Sequence, residues 1–285
     1  MSAAPLHADN AAQAEYWNSA AGQKWTDRQE HQDQVLSPVS DRLLAAARPK
    51  PGERVIDVGC GCGATTIDFA ARVPGGEVLG LDISEPMLAR ARQRAEGLAI
   101  RFERADATVY AFEPEAADLV ASRFGVMFFA DPARSFANLR SGLKPGGRLA
   151  FACWREAKHN PFFILPLREA GKHAPPLPET DPEAPGPFAF ASEARVRRVL
   201  ADAGFGDIVM TPHDLELDIA VGRGLDAAVT SAMTIGPTSR MLDGQSEAVR
   251  GAVEADIRKA LAAHARGDSV PLGAAIWIVT ATNPG

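Results

Sequence analysis

Cysteine is scarce in this sequence: three in 285 residues, Cys60, Cys62 and Cys153. The first two stand too close for an ordinary disulfide, and an odd count without a secretory segment points to a reducing cytoplasm. The three lack the spacing of a zinc set, and neither the metalloprotease helix motif nor a nucleophile elbow occurs, so no metal site is expected. Basic charge is not in excess. Lys and Arg number 30 against 36 Asp and Glu, a net charge of -6, which argues against nucleic acid as a partner. The one basic cluster, Arg195, Arg197 and Arg198, lies in a helical pattern and reads as a solvated face. No apolar run approaches the roughly 20 residues of a membrane span. Met1 to Ala14 has no basic end followed by an apolar run, so it does not read as a signal peptide. No internal repeat is seen. What is present is material for a sizeable core, 46% hydrophobic residues, in one large domain or in a core domain with a substantial insertion.

The stretch that organises the chain is Arg54-Val55-Ile56-Asp57-Val58-Gly59-Cys60-Gly61-Cys62-Gly63-Ala64-Thr65-Thr66. Val55, Ile56 and Val58 form a short β-branched run, as expected of a strand covered on both faces. Gly59, Gly61 and Gly63 then allow a tight turn and close approach of a ligand to the backbone. From Thr65 a helical pattern begins, with Ile67, Phe69, Ala70 and Val73 on one side, ended by Pro74-Gly75-Gly76. Gly59-x-Gly61-x-x-Ala64 satisfies the loose dinucleotide fingerprint, and a methyl-donor site looks similar. Asp57 separates the two. A carboxylate there would repel the pyrophosphate of a dinucleotide. It would attract, directly or through a water, the ammonium of S-adenosylmethionine.

The strands that follow fit a βαβ series. Glu77 to Leu81 ends at Asp82, twenty-three positions after Gly59, where a carboxylate at the tip of the neighbouring strand can accept both hydroxyls of a ribose. Asp82 or Ser84 can cap the next helix, and Ile83 and Met87 would flank the adenine. Ile100 to Arg104 is the third strand, followed by Ala105-Asp106-Ala107. Ala117 to Ser122 is the fourth, running into Arg123-Phe124, with Phe128-Phe129 supporting a helix from Pro132 to Leu143. Leu143 to Leu149 is a turn into the fifth strand, Leu149 to Trp154. Residues 155–192 show no regular pattern, and Pro175 to Pro187 reads as an exposed loop or mobile lid. A helix over Ser192 to Ala203 leads to strand six, Asp207 to Thr211. An excursion over about Val221 to Leu272 holds an amphipathic helix, Ala248 to Ala265, that could complete a pocket or form a homodimer contact. The last strand, Ala274 to Ala281, is expected as the antiparallel edge partner of strand six.

The run V-I-D-V-G-C-G-C-G resembles motif I of the class I S-adenosylmethionine-dependent methyltransferases, and Leu143-Lys144-Pro145-Gly146-Gly147-Arg148-Leu149 resembles a further signature of the family. The likeness is to the small-molecule branch, which includes the ubiquinone/menaquinone-biosynthesis methyltransferases. It is good over residues 50–155, moderate over 192–211 and slight in the insertions. It implies an α/β, Rossmann-like seven-stranded sheet in the order 3-2-1-4-5-7-6 with the last strand antiparallel. It also implies an N-terminal helical lid over residues 1–50, a methyltransferase domain over 51–285, and acceptor-binding insertions at about 155–191 and 221–272.

The same resemblance implies S-adenosyl-L-methionine as cofactor and a small-molecule methyl acceptor as partner. It places Asp57, Gly59, Gly61, Asp82, Ile83, Met87, Asp106, Ala107, Ser122, Arg123 and Trp25 at the cofactor, with Asp106 toward the adenine amino group. Tyr16, Trp17, Phe124 and Phe162 fall to the acceptor. Tyr16, Trp17, Trp25 and His31 either line the site or pack the N-terminal extension onto the body. Transfer to an O, N or C atom would be an in-line displacement that leaves a neutral thioether, so holding the reactants in line can supply most of the rate. Where the acceptor carries a proton, His31 and His159 are the candidate bases. Two readings compete: a protein that binds the cofactor without transferring methyl, and a nicotinamide-dependent oxidoreductase, which Asp57 and Asp106 disfavour.

Overall fold

Apolar runs with no polar alternation need a sheet covered on both faces. The strands of this chain satisfy that need in a computed structural model that describes residues 6–179, 181–234 and 236–285. Met1 to Pro5, part of the signal-peptide and lid readings, and Thr180, within the proline-rich loop, lie outside the described residues. The strands β1 (Arg54–Val58), β2 (Glu77–Asp82), β3 (Ile100–Arg104), β4 (Ala117–Arg123), β5 (Leu143–Trp154), β6 (Gly206–Asp218) and β7 (Pro271–Thr282) form one sheet. Its order is β3-β2-β1-β4-β5-β7-β6. The first five strands pair in parallel, and β7 runs antiparallel to both β5 and β6. This is the Rossmann-like α/β architecture and strand order expected from the sequence.

The strand limits differ from those expected. β7 lies between β5 and β6, as the expected order has it, and Ala275, Ile276, Ile278 and Val279 within it are buried. The outer strand is β6, which extends to Asp218 and exposes Asp207, Val209, Thr211, Pro212, Asp214 and Glu216. The segment read as a turn into strand five lies inside β5: Leu143 pairs with Ala117, Arg148 with Leu119, and Lys144 to Gly147 bulge outward between them.

The extension before β1 folds into α1 (Ala11–Trp17), α2 (Ala20–Asp27), α3 (Gln29–Val35) and α4 (Ser37–Ala47). The last of these is not a covering element. Val39, Leu43 and Leu44 are buried in the main core, and the helix packs on β4, β5 and β7. Between strands stand α5 (Ala64–Ala70), α6 (Glu85–Arg94) and α7 (Pro132–Ser141). The stretch read as irregular contains α8 (Pro161–Ala170), whose run Phe162-Phe163-Ile164-Leu165 hides the helical period and whose interior holds Pro166. After it come α9 (Glu193–Asp202), α10 (Gly224–Thr234), α11 (Gly236–Met241) and α12 (Glu247–Ala262). Helices α8, α10, α11 and α12 close a second hydrophobic core around Val229, Leu242, Val253, Ile257 and Leu261.

Three smaller readings can also be compared. Arg195 is buried, paired with Glu183 and set over the Phe190 ring at 5.8 Å, whereas Arg197 and Arg198 are exposed as expected. Of the two readings of Pro175–Pro187, the exposed loop holds, since Pro175, Pro176, Pro178, Asp181 and Pro182 are exposed, and it is anchored where Gly186 donates its N–H to the Met127 carbonyl at 3.1 Å and Glu183 holds Arg195. Ser84 precedes α6 but does not cap it, since its hydroxyl donates to the Trp17 carbonyl at 2.7 Å.

The tightest backbone approach is where β1 meets the loop after β4. Gly59 has φ +66°, and a Cβ there would stand 2.6 Å from the Gly125 Cα. A left-handed conformation and an overpacked contact each cost about 1–3 kcal/mol for a residue with a side chain. Gly59→Ala is therefore expected to lower the free energy of unfolding by about 2–4 kcal/mol in urea titration. A loss below 0.5 kcal/mol would show that the two loops move apart freely.

Candidate active site

The glycine turn after β1 places backbone where side chains would block. Gly59 and Cys60 donate their N–H groups to the Leu81 carbonyl at 2.8 and 3.1 Å, which ties the turn to the end of β2. Gly61, with φ +55°, faces open space, and only the Met87 sulfur, at 3.8 Å, would touch a Cβ there. The turn is the floor of a cavity at the carboxyl ends of the parallel strands, where open α/β sheets bind ligands. It encloses about 1050 Å³, part of it open to solvent. One wall comes from β2 and α6 (Asp82, Ile83, Met87), and another follows β3 (Ala105, Asp106, Ala107). A third follows β4 (Arg123, Phe124, Gly125). The roof is Asn10, Gln13, Trp17, Trp25, Asp33 and Leu36.

Three carboxylates converge on this cavity, and each is held differently. Asp57, at the end of β1, is wholly buried behind the turn and does not reach the wall. Its Oδ2 accepts the Thr65 and Thr66 hydroxyls, each at 2.7 Å, while its Oδ1 has no partner among the described residues. Burial pushes its carboxyl up to about 6, against the pull of the two hydroxyls and of the Arg123 charge. Of the two contacts expected from the sequence, direct or through a water, Asp57 is set back from the direct one, while Thr65, whose hydroxyl it accepts, does line the cavity. Asp82 lies on the wall. It accepts the Gly61 N–H at 2.7 Å and the Ser84 N–H at 2.8 Å, and burial raises its carboxyl. A carboxylate offers about four acceptor positions, so Asp82 keeps capacity for a vicinal diol. Asp106 also lies on the wall, but its capacity is filled. It accepts from the His7 N–H, from Asn10 Nδ2 at both oxygens and from the Thr108 N–H, each at 2.9 Å. The adenine contact expected of Asp106 therefore competes with the N-terminal segment that bonds it.

Arg123 supplies the positive charge opposite these groups. Its guanidinium donates to the Ser40 hydroxyl at 2.8 Å and lies 3.8 Å from Asp33, which is also paired with Arg94 at 2.8 Å. Cys60 and Cys62 both face the cavity, and burial pushes the Cys62 thiol up to about 11 and Cys60 well above its ordinary value, so neither is a thiolate at neutral pH.

Of the residues named from the sequence, the cavity gathers Trp17, Trp25, Gly59, Gly61, Asp82, Ile83, Met87, Asp106, Ala107, Arg123 and Phe124. The others lie elsewhere. Ser122 is buried behind the wall, and its hydroxyl accepts the Gly125 and Val126 N–H groups. Tyr16 is 41% exposed. Phe162 lies beyond Trp154, on whose ring it stacks. Neither histidine reaches the cavity. His31 is buried against Ser231, at 3.2 Å, with burial and the nearby Arg28 charge lowering its pKa. His159 is half exposed beside Glu156. The sequence reading missed Asn10, Gln13, Asp33 and Leu36, which lie in or next to the N-terminal helices and carry no motif of their own. It also assigned Phe128 and Phe129 to helix support, whereas both line the cavity, and Phe128 meets Trp17 edge to face at 5.2 Å.

A family model described as a methyltransferase domain matches residues 55–147. Nocamycin O-methyltransferase of Saccharothrix syringae is 32% identical over 260 residues, which cover 83% of this chain and 88% of that protein. Demethylmenaquinone methyltransferase of Thermus thermophilus is 41% identical over 110 residues, 38% of this chain and half the length of that relative. Among solved structures, phosphoethanolamine N-methyltransferase 2 of Haemonchus contortus in complex with S-adenosyl-L-methionine superposes with a TM-score of 0.53 at 21% identity. The match covers 87% of this chain and 53% of that one, and it speaks to the fold. Fold, glycine turn and relatives together define a class: this chain belongs to the class I S-adenosylmethionine-dependent methyltransferases. Its cofactor is S-adenosyl-L-methionine.

The cavity fits that cofactor. Asp82 and Asp106 line its walls, the unpartnered Oδ1 of Asp57 lies buried behind its floor, and Arg123 lines it as well, a donor set suited to a ligand with two cationic centres and one carboxylate. The raised carboxyl of Asp57 gives this fit a pH dependence. A folded-state pKa above the unfolded value means the folded chain holds its proton longer, so stability falls as pH rises from about 4 to 6, by about 3 kcal/mol for a two-unit shift. A bound cation reverses that preference. Affinity for S-adenosylmethionine is expected to tighten as pH rises through about 6, seen by calorimetry between pH 5 and 8. Asp57→Asn is expected to flatten this profile and to stabilise the ligand-free protein by about 1–3 kcal/mol at pH 8 but not at pH 4.

Proposed function

We propose that this chain transfers the methyl group of S-adenosylmethionine to an O, N or C atom of a small-molecule acceptor by in-line displacement. The observation that carries the reading is one cavity with carboxylates at the ends of successive parallel strands and a guanidinium opposite. Nocamycin O-methyltransferase, similar over most of both chains, favours oxygen as the acceptor atom. The cofactor supplies an activated methyl group on a sulfonium. Asp82 would hold the ribose hydroxyls, Ile83 and Met87 the adenine faces, and Arg123 the methionine carboxylate. Asp57 and Ser122 would act from behind, one through its field and one by shaping the loop after β4. Residues up to about Val35 would serve as a lid: Trp17 and Trp25 exclude water from above, and Asn10 fastens the lid to Asp106. Phe124 would face the acceptor.

Proximity is the mechanism this arrangement supports. Among the described residues no imidazole lines the cavity, so His31 and His159 are not placed to take a proton there. Holding two reactants in line can supply several kcal/mol of the barrier without a base. Two experiments test the reading. Asp82→Ala is expected to weaken S-adenosylhomocysteine binding more than tenfold in calorimetry while leaving the far-ultraviolet circular dichroism unchanged. An acceptor screen read by mass spectrometry is expected to show S-adenosylhomocysteine released with a product 14 mass units heavier than its acceptor. Tight cofactor binding with no turnover across phenols, acids and amines would favour a binding module instead.

A further inference from the structure

A groove with an excess of positive charge lies between the N-terminal helices and the helices that follow β6. It encloses about 470 Å³, part of it open to solvent. Lys24 on α2 and Arg28 at its end form one side. Met233 on α10, Ser239 on α11, Asp243 just beyond it and Arg250 on α12 form the other. The groove is separate from the cofactor cavity, with α2 between them. Lys24 and Trp25 are consecutive on that helix, and the first lines the groove while the second lines the cavity.

The carboxylates of the groove do not neutralise its cations. Asp243 pairs with Lys24 at 3.2 Å, and Asp27, also on the wall, accepts from the Gln23 amide at 2.7 Å. Arg28 and Arg250 have no ion pair among the described residues. Arg250 donates to the Leu242 carbonyl at 3.0 Å, whereas Arg28 Nε is withheld from water with no partner among them. Burial pulls the Arg28 pKa below its ordinary value, and no carboxylate holds it up. A cation drawn out of water is unfavourable unless a counter-charge meets it, and a buried donor without an acceptor calls for one. One more donor is at hand: the Ser239 hydroxyl accepts from Lys24 at 3.2 Å, which leaves its own proton to give.

We propose that this groove binds a small monocarboxylate, held by Arg28, Arg250 and Ser239 with its apolar stem against Met233, and that the bound anion clamps the N-terminal helices onto the helices after β6. Three cations against two carboxylates leave a single positive charge to balance. A doubly charged ligand would also face Asp27 and Asp243. A guanidinium matches a carboxylate with two parallel donors, so Arg28 has the geometry for it. The holding groups come from both sides of the groove, so the anion favours the arrangement in which α2 is down, and α2 carries Trp25 over the cofactor cavity. Two ligands that favour one arrangement tighten each other by the same factor. The clamp rests on the lid reading above; the anion site does not.

The test titrates the full chain by calorimetry with propionate, its neutral isostere propionamide and inorganic phosphate, at pH 8 and constant ionic strength set by chloride, with and without S-adenosylhomocysteine. Expected is binding of propionate at least tenfold tighter than propionamide and tighter than phosphate. S-adenosylhomocysteine should tighten propionate several-fold, and propionate should tighten S-adenosylhomocysteine equally. Arg28→Gln and Arg250→Gln should each weaken propionate about tenfold or more, the size of one charge-assisted hydrogen bond. Both should keep the circular dichroism spectrum and the S-adenosylhomocysteine affinity measured without propionate. Equal binding of propionate and propionamide, tighter binding of phosphate, or indifference to both substitutions would overturn the proposal. So would no binding, or a propionate affinity that S-adenosylhomocysteine leaves unchanged. Trp25→Ala separates the lid reading from the site: unchanged S-adenosylhomocysteine affinity in that variant would sink the lid and leave the groove to be judged on propionate alone.

Discussion

A carboxylate removed from water sits at the centre of this molecule, and much of the surrounding structure answers to it. Asp57 ends the innermost strand of the parallel sheet, and a charge there is tolerated only because the first residues of α5 turn two hydroxyls onto it. Those hydroxyls require the helix to begin at Ala64. That in turn requires the chain to reverse within a few residues of Val58, which only a glycine-rich turn allows. The turn brings Cys60 and Gly59 onto the Leu81 carbonyl, and so sets the height of Asp82 beside it. The local strain of a desolvated charge is thus coupled to the shape of the cavity floor. Such unfavourable burial is common where a protein meets a ligand of opposite charge.

The body of the fold was legible because its signals are local. Val55 to Val58, Glu77 to Asp82 and Leu149 to Trp154 are short, apolar and bounded by glycine, and each lies in a strand, the first two near the expected limits and the third in a strand that starts earlier, at Leu143. The sheet order was readable only through the resemblance, since nothing in the apolar run of β7 says which neighbours it takes. The helices after β5 were harder. In α8 four consecutive apolar residues and an internal proline mask the period, because the helix is buried between two cores and has little polar face to show.

The site divides the same way. Asp82, Ile83 and Met87 follow from the geometry of a strand tip, so spacing alone finds them. Asn10, Gln13 and Asp33 reach the cavity through the arrangement of α1 to α3 over the body, which depends on contacts far apart in sequence such as Asn10 with Asp106 and Asn18 with the Ile83 carbonyl. His31 shows the opposite error. A histidine in the right element suggested a base, and only packing against α10 reveals that it points away from the cofactor. The N-terminal helices touch both halves of the molecule: Ser84 and Arg94 on the body, Ser231 and Ser239 on the helices that cap it.

The outer strand has a bearing on how copies of this molecule meet. Along its thirteen residues β6 has no partner strand on the side facing away from β7, a length that would ordinarily invite another chain to continue the sheet. Pro212 has no N–H to give, and the charged side chains Asp207, Asp214 and Glu216 stand along the strand, so an approaching second strand meets a gap in hydrogen bonding and charged groups to displace. Ribbon-like stacking into fibres is thereby discouraged.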